Sequence, residues 1–159
     1  MRAAYVERLG PPDEIVVGEL SVPASGPTDV LVAVELVAAN PVDTFVRSER
    51  YATPVPLPFV VGRDLVGTVA DAGPGALFGV GERVWANSLG HDGRQGSFSE
   101  YAVIPAERCY CLPEGATPSW LSLSRTRRQP PTLPGSSTAP CDPVRSPMSA
   151  AGPATSARP

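Results

Sequence analysis

Short apolar runs with a period of two fill the first part of the chain, and clusters of glycine and proline separate them. This pattern is typical of β-strands joined by tight turns. It predicts strands over residues 3–6, 15–20, 30–38, 64–72, 82–86, 97–104 and 109–112. Because these strands are short and closely spaced, we expect a mainly β fold, a barrel or sandwich, and not a parallel sheet alternating with helices.

One segment breaks the strand pattern directly after residue 39. Asn40 is a preferred N-cap residue, Pro41 suits the first helical position and Asp43 suits the third. The helix must be short, because the prolines within residues 54–58 cannot continue it. The sequence therefore predicts a short helix after Asn40.

Charge and hydropathy restrict the function classes. The net charge is -3 and the first 120 residues carry no basic stripe, which gives no electrostatic reason to expect nucleic-acid binding. No apolar run reaches the length of a membrane span, and the N-terminus lacks the apolar core of a signal peptide. We therefore expect a soluble cytoplasmic protein without a membrane partner. Three cysteines are too few for a disulfide framework, which fits a reducing compartment.

The side chains that commonly bind zinc are badly placed for a metal site. A catalytic zinc needs three protein ligands from cysteine, histidine or acidic side chains. Cys109 and Cys111 would share one face of a strand and lack the two-residue spacer of a zinc hook. His91 stands in a glycine-rich loop, where we expect it to be solvated and without partners. The sequence therefore predicts no metal site.

That glycine-rich loop, residues 90–96, spells G-x-x-G-x-x-G after a predicted strand. A phosphate-binding loop with this spacing must open a helix whose N-terminal amides face the phosphate. Residues 97–104 alternate as a strand instead. We therefore predict a connecting loop here and not a nucleotide site.

Three stretches together carry a family resemblance: residues 40–48 (NPVDTFVRS), residues 58–67 (PFVVGRDLVG), and residues 81–85 (GERVW) followed by 96–101 (GSFSEY). With them, residues 1–118 resemble the N-terminal GroES-like domain of medium-chain dehydrogenases, a partly open β-barrel. Within that superfamily they resemble the zinc-independent NADPH:quinone oxidoreductases of the zeta-crystallin type. Zinc-dependent relatives have a cysteine where this chain has Asn40 and a histidine where it has Arg63, so the resemblance implies the zinc-free branch.

The resemblance implies that NADPH and a quinone or enone meet in a cleft between this domain and a nucleotide-binding domain. It implies two catalytic residues: Asn40, which would orient the nicotinamide or the substrate, and Tyr51, which would line the substrate site. Asn40 and Phe45 would contact the cofactor, although Phe45 replaces a tyrosine that usually touches NADPH. Each residue has a structural alternative: Asn40 as a helix cap, Phe45 as a packing residue and Tyr51 as a surface residue.

Residues 119–159 differ in kind from the predicted domain. Residues 121–159 contain 8 prolines and 7 serines, which is typical of a disordered tail. The resemblance implies a glycine-rich βαβ domain at this point, and codons in a shifted reading frame permit a G-x-x-G-x-x-G loop over residues 148–157. We therefore hypothesise a frameshift near Ser119. The chain would then have no Rossmann domain, and we expect it neither to bind NADPH tightly nor to turn over a quinone.

A second hypothesis is a non-enzymatic GroES-like binding module whose tail is a flexible interaction arm. A barrel without its partner domain exposes an apolar inter-domain face, through which the chain could associate with itself. Tail-dependent binding to a partner would distinguish this module from the reductase domain.

Overall fold

The computed structural model describes residues 1–112 of the 159-residue chain. The predicted disordered tail, the predicted domain end at residue 118 and the frameshift near Ser119 lie outside the described residues. Within residues 1–112 the chain forms eight strands, one α-helix and two 3₁₀ turns. The two 3₁₀ turns are Pro12–Glu14 and Ala106–Arg108.

The strands form two antiparallel sheets. The smaller sheet contains β1 (Arg2–Val6), β2 (Val16–Glu19) and β4 (Phe59–Val60) in the order β2-β1-β4. The larger sheet has the order β7-β3-β5-β6-β8 and contains β3 (Asp29–Ala38), β5 (Asp64–Ala72), β6 (Arg83–Ala86), β7 (Tyr101–Pro105) and β8 (Cys109–Cys111). This sheet curls into a half-barrel, which confirms the predicted mainly β, partly open barrel.

The concave side of the larger sheet buries the main core. Val30 and Val32 alternate inward along β3, and Leu65 and Val69 do the same along β5. Each such side chain contributes about 1.5–3 kcal/mol by leaving water. The core cluster consists of Val30, Val32, Leu65, Val69, Val84, Ala86, Leu89, Ala102, Ile104 and Cys109. The period of two along the chain therefore corresponds to one buried face, as the sequence predicts.

The predicted strand over residues 97–104 is wrong in its first half, because regular pairing begins only at Tyr101. Residues before Tyr101 cross from one sheet to the other. The Phe98 carbonyl accepts a bond from Ala4 in the smaller sheet (2.8 Å), whereas the Glu100 carbonyl accepts one from Val34 in the larger sheet (2.9 Å). A segment that passes from one sheet to another can show the alternation of apolar and polar residues that is typical of a strand. It cannot form one continuous ladder of backbone hydrogen bonds.

The helix α1 (Pro41–Arg47) lies between β3 and β4 and confirms the short helix predicted after Asn40. Val46 anchors it in a second core cluster with Val6, Phe59 and Val61. Its last residue is tied to the loop after β1, because Arg47 donates through Nη1 to the Gly10 carbonyl and accepts from the Gly10 N–H (2.8 Å). Residues 1–112 contain no helix long and apolar enough to cross a membrane.

Candidate functional site

The site begins where β3 and β5 meet at one end of the larger sheet. Ala38 and Asp64 are partners in the antiparallel register, so the chain leaving β3 passes directly beside the first residue of β5. Asn40 lies there as the N-cap of α1, as predicted. Its Nδ2 donates to Oδ2 of Asp64 at 2.9 Å and lies 3.4 Å from the Ala38 carbonyl. The side chain is therefore held at the sheet end as well as at the helix start.

Asp43 completes the helix start and is half-buried. Its Oδ2 accepts a hydrogen bond from the Asn40 N–H at 2.6 Å, whereas its Oδ1 is buried and has no partner within residues 1–112. Desolvation raises the pKa of Asp43 to about 6; the bond from Asn40 opposes the rise, and the nearby Asp64 carboxylate adds to it. A buried carboxylate oxygen without a partner is unusual in a merely structural cap.

Asp64 connects three segments of the chain. Its second oxygen, Oδ1, lies 3.4 Å from the N–H of Ser88, in the loop after β6. Ser88 has a positive φ of 58°, a conformation that non-glycine residues adopt rarely and often near functional sites. The Ser88 carbonyl accepts in turn from Arg108 at 3.2 Å. Asp64 thus lies between the loop before α1 and the loop after β6.

Sequence reasoning missed Asp43 and Asp64 as members of the site. Asp43 was explained as a helix-start residue, and Asp64 lies 24 positions from Asn40. Only the register of β3 against β5 brings Asp64 to Asn40. The available signal was that the two carboxylates occur inside two of the three stretches that carry the family resemblance.

Phe45 and Tyr51 lie at the other end of α1. The N–H of Tyr51 donates to the Phe45 carbonyl at 3.0 Å, and Glu49 between them has a positive φ of 61°, as is common just after a helix. Both rings are largely exposed, 43% for Phe45 and 49% for Tyr51. Tyr51 lines a hollow of about 360 Å³. Its lining consists of Leu9, Glu49, Tyr51, Ala52, Thr53 and Pro54.

The structure therefore places the three predicted residues in two groups. Asn40 joins Asp43 and Asp64 at the start of α1, whereas Phe45 lies in its C-terminal half and Tyr51 follows its end. The hollow beside Tyr51 includes neither Asn40 nor Phe45 in its lining. The catalytic and cofactor-binding roles of all three residues stay predictions.

The glycine-rich segment of residues 90–96 is a loop, as predicted, and five of its seven amides are already bonded. Gly90 donates to Gln95, Gly93 to Pro54 (2.7 Å) and Gly96 to Val60. These bonds leave little of the loop free to face a phosphate. The Gly93 bond also supports the segment that carries Tyr51, and the Asp92 N–H adds a bond to Oγ1 of Thr53 at 2.9 Å.

The prediction that His91 is solvated is wrong, because its side chain is only 12% exposed. Its Nδ1 lies 2.7 Å from Oδ2 of Asp92, although neither ring nitrogen has a hydrogen-bond partner within residues 1–112. Burial lowers the pKa of His91, nearby Arg63 lowers it further, and the Asp92 carboxylate opposes the change. The bonds of Gly93 and Asp92 to residues 53–54 hold the loop beside His91 against the segment that follows α1.

The cysteine of β8 that faces the main core is not available as a nucleophile. Cys109 is buried, and desolvation together with the charge of Glu82 raises the pKa of its thiol to about 12. No cluster of three potential metal ligands from histidine, cysteine and acidic residues occurs within residues 1–112.

Comparison with known proteins gives a consistent family. Residues 26–114 match the family model described as the alcohol dehydrogenase GroES-like domain. Over 116 residues the chain is 33% identical to a human quinone oxidoreductase, covering 72% of this chain and 34% of that protein. It is 37% identical over 121 residues to a trans-enoyl reductase of Aspergillus terreus, covering 70% and 39% respectively.

A solved structure agrees with these sequence relatives. A mycobacterial protein in complex with NADPH superimposes with a TM-score of 0.67 at 32% identity, covering 77% of this chain and 35% of that chain. This chain spans about a third of the length of the curated relatives it matches. The matched residues include α1, both ends of β5 and the Asn40 region described above. The chain belongs to the family of alcohol dehydrogenase GroES-like domains, within the medium-chain dehydrogenase superfamily.

Proposed function

We propose that this domain forms the substrate-side wall of a zinc-independent reductase in which NADPH reduces a quinone or an enone. The names of the relatives support this substrate class, since one is a quinone oxidoreductase and another a trans-enoyl reductase. The observation that carries the proposal is the polar group around Asn40. Two carboxylates hold Asn40 in place, yet one buried oxygen of Asp43 has no partner in the described part of the chain.

The described residues offer the kinds of group that contact a nicotinamide or quinone ring. Phe45 and Tyr51 offer two exposed aromatic rings, and Asn40 offers a fixed polar group. Five of the seven amides of residues 90–96 are bonded within the domain, so this loop has few amides left to face the phosphates of NADPH. When bound, NADPH supplies the hydride. The domain's own residues would orient the ring and help to exclude water from it.

The residues around Asn40 do not fit a catalytic zinc. A catalytic zinc binds thiolates, imidazoles or carboxylates, and Asn40 has a neutral amide where the resemblance implies a cysteine in zinc-dependent relatives. Asp43 and Asp64 are potential ligands, but a catalytic zinc needs three, and no cluster of three potential metal ligands occurs within residues 1–112. Zinc independence is therefore part of the proposal, and no step is assigned to a metal.

The test of the substrate-side role uses the full chain and an enone as the ligand. In saturation-transfer NMR with 2-cyclohexenone, we expect contact with the protein that is lost in Tyr51→Ala. The matched control is Tyr110→Ala, since Tyr110 is also exposed but stacks on Trp85, with ring centroids 4.8 Å apart in the larger sheet. Equal loss in both variants, or no contact at all, would overturn the substrate-side role.

The predicted weak cofactor binding has its own measurement. Titration of NADPH into the full chain, followed by nicotinamide fluorescence, should show no binding in the micromolar range. Micromolar binding would contradict the prediction that this chain does not hold NADPH tightly. The frameshift near Ser119 and the cytoplasmic location also stay predictions, and the nucleotide sequence of the gene tests the first.

The alternative is a non-enzymatic binding module, and the exposed apolar side chains favour it. They include Leu36, Val37, Phe45, Tyr51 and Leu57, all at least 37% exposed. Such side chains could also support self-association. Sedimentation velocity at rising concentration tests this: growth of a dimer that Tyr51→Ala abolishes, without any enone contact in NMR, would favour the module over the reductase wall.

A further inference from the structure

We propose that Asp64 is a positioning residue that fixes the orientation of the Asn40 amide, so that Asn40 meets its ligand as a hydrogen-bond acceptor and not as a donor. This inference rests on the proposed function, which it deepens. It identifies the chemical group of the ligand that Asn40 can contact. It also assigns a role to a carboxylate that the family motif contains but the predicted site did not include.

The neighbours of Asn40 determine which way its amide points. Both groups beside Nδ2 are acceptors: the Asp64 carboxylate at 2.9 Å and the Ala38 carbonyl at 3.4 Å. A flipped amide would place Oδ1 against the carboxylate, so that two acceptors would face each other and a charge-assisted bond would be lost. The NH₂ group must therefore face Asp64.

Asp64 is itself held firmly enough to impose this orientation. It is the first residue of β5, and it pairs with Ala38 in the antiparallel register. Its other oxygen, Oδ1, faces the N–H of Ser88 at 3.4 Å. The carboxylate thus has a backbone donor on one side and the Asn40 amide on the other, and turning it would weaken both contacts.

The orientation leaves Oδ1 of Asn40 for the ligand. An amide oxygen has two lone pairs, and the contact of the side chain with the start of α1 can occupy only one of them. The partner must therefore bring an N–H or O–H group. Two sources have this chemistry in the proposed reaction: the carboxamide of nicotinamide, and the hydroxyl of the reduced product. The carbonyl oxygen of a quinone or enone has no proton, so Asn40 cannot polarise it.

The first experiment measures the amide orientation without any ligand. The chain contains two asparagines, Asn40 and Asn87, so selective ¹⁵N-asparagine labelling gives two side-chain NH₂ signals, and Asn87 is an internal reference. We expect Asp64→Ala to accelerate solvent exchange of the Asn40 NH₂ protons about tenfold, as loss of a charge-assisted bond implies. Asp64→Asn keeps an acceptor and should restore part of the protection.

The matched control is Asp71→Ala, which removes another carboxylate of β5. Asp71 accepts from Oγ of Ser25 at 2.6 Å and does not contact Asn40. It should leave the Asn40 exchange rate unchanged. Unchanged exchange in Asp64→Ala, with a folded protein by thermal melting, would overturn the proposed orientation. If Asp64→Ala does not fold, exchange in Asp64→Asn decides. An Asn40 exchange rate equal to that of the wild type, each measured relative to the Asn87 signal, in a folded Asp64→Asn protein would overturn the proposed orientation.

The second experiment tests the acceptor role with two probe pairs, followed by the Asn40 side-chain ¹⁵N shift in the full chain. Nicotinamide is compared with 3-acetylpyridine, and hydroquinone with 1,4-dimethoxybenzene; the first of each pair has donors and the second has none. We expect at least one donor probe to shift Asn40, and the responding pair identifies the source. Equal shifts from donor and donor-free probes would overturn the acceptor role. Binding of no probe would overturn the proposed function, while the exchange measurement would still decide the orientation.

Discussion

The two ends of the β3–β5 pair differ in how completely they use their polar groups. At one end, Asp29 accepts from the N–H of Gly26 through its side chain (3.2 Å) and from Gly73 through its carbonyl (2.9 Å). At the other end, Asn40 is bonded to Asp43 and Asp64, yet Oδ1 of Asp43 is buried and no described residue bonds to it. The same two strands therefore end in a hydrogen-bonded turn around Asp29 and in a polar group around Asn40 that keeps an unbonded oxygen among the described residues. We call these the closed end and the open end of the pair.

This difference distinguishes the end of the β3–β5 pair that serves the fold alone from the end that is a candidate for function. A turn that only has to reverse the chain satisfies its own donors and acceptors, as the end around Asp29 does. A binding site must keep polar groups unbonded for its ligand, and these groups lower the stability of the fold as long as no ligand is bound. We therefore expect changes at the Asp29 end to affect folding alone, and changes at the Asn40 end to affect ligand contacts as well.

The largest expected effect is a loss of stability from a substitution at the closed end. In Gly73→Ala, the new Cβ would lie 2.2 Å from the Gly26 carbonyl oxygen and 2.5 Å from the Pro27 carbonyl, so backbone would have to move. We expect a loss of about 3 kcal/mol in the free energy of unfolding, measured by urea denaturation. Gly75→Ala is the matched control, because its nearest contact is 3.1 Å and its cost should be below about 1 kcal/mol. Equal losses would show that crowding at this turn is not the reason.

The next effect is a pH dependence at the open end. The pKa of Asp43 is raised to about 6 from 3.8, so the folded state binds this proton more tightly than the unfolded state does. Protonation therefore stabilises the fold, and this contribution is lost as the pH rises through about 6. Relative to Asp43→Asn, the wild type should lose about 1–2 kcal/mol between about pH 4.5 and pH 7, after allowance for solvent screening. Denaturation at several pH values measures it, and a constant difference between the two proteins would contradict it.

A matched pair of smaller changes compares the two ends directly. Asn40→Ala removes the N-cap, and Asp29→Ala removes the side-chain acceptor of the opposite turn. Each should cost about 1 kcal/mol of unfolding free energy. Only Asn40→Ala should also weaken the binding of nicotinamide or hydroquinone, measured by ligand-observed NMR. If both variants bind the probes equally well, the open end has no ligand role.

Much of the fold could be predicted from the sequence, because burial on one face of a strand appears directly as a period of two. Residues 64–72 were predicted as β5 with both ends correct, and α1 began at Pro41 because Asn40 and Asp43 suit a helix start. Residues 97–100 were not predictable in this way. They alternate like a strand, but their partners change from one sheet to the other, and pairing partners do not appear in a local pattern.

The site could be predicted only in part, for the same reason. Asn40, Phe45 and Tyr51 came from the family resemblance, and the structure places them in two groups, one at the start of α1 and one towards and beyond its end. The contact of Asn40 with Asp64 depends on strand register, which the local pattern does not contain. His91 was missed because its burial comes from a loop that folds back on distant residues.

The smallest expected effect sharpens the comparison at Phe45. Phe45→Tyr adds a hydroxyl to a ring that is 43% exposed, so the free energy of unfolding should change by less than about 0.5 kcal/mol. The resemblance implies a tyrosine that touches NADPH at this position, and one added hydrogen bond should tighten nicotinamide binding about threefold. Phe78→Tyr is the control, because Phe78 packs against the main core, away from α1. Tighter binding in both variants, or in neither, would show that Phe45 has no role in ligand binding. Its exposed ring would then favour the alternative, an apolar surface for association.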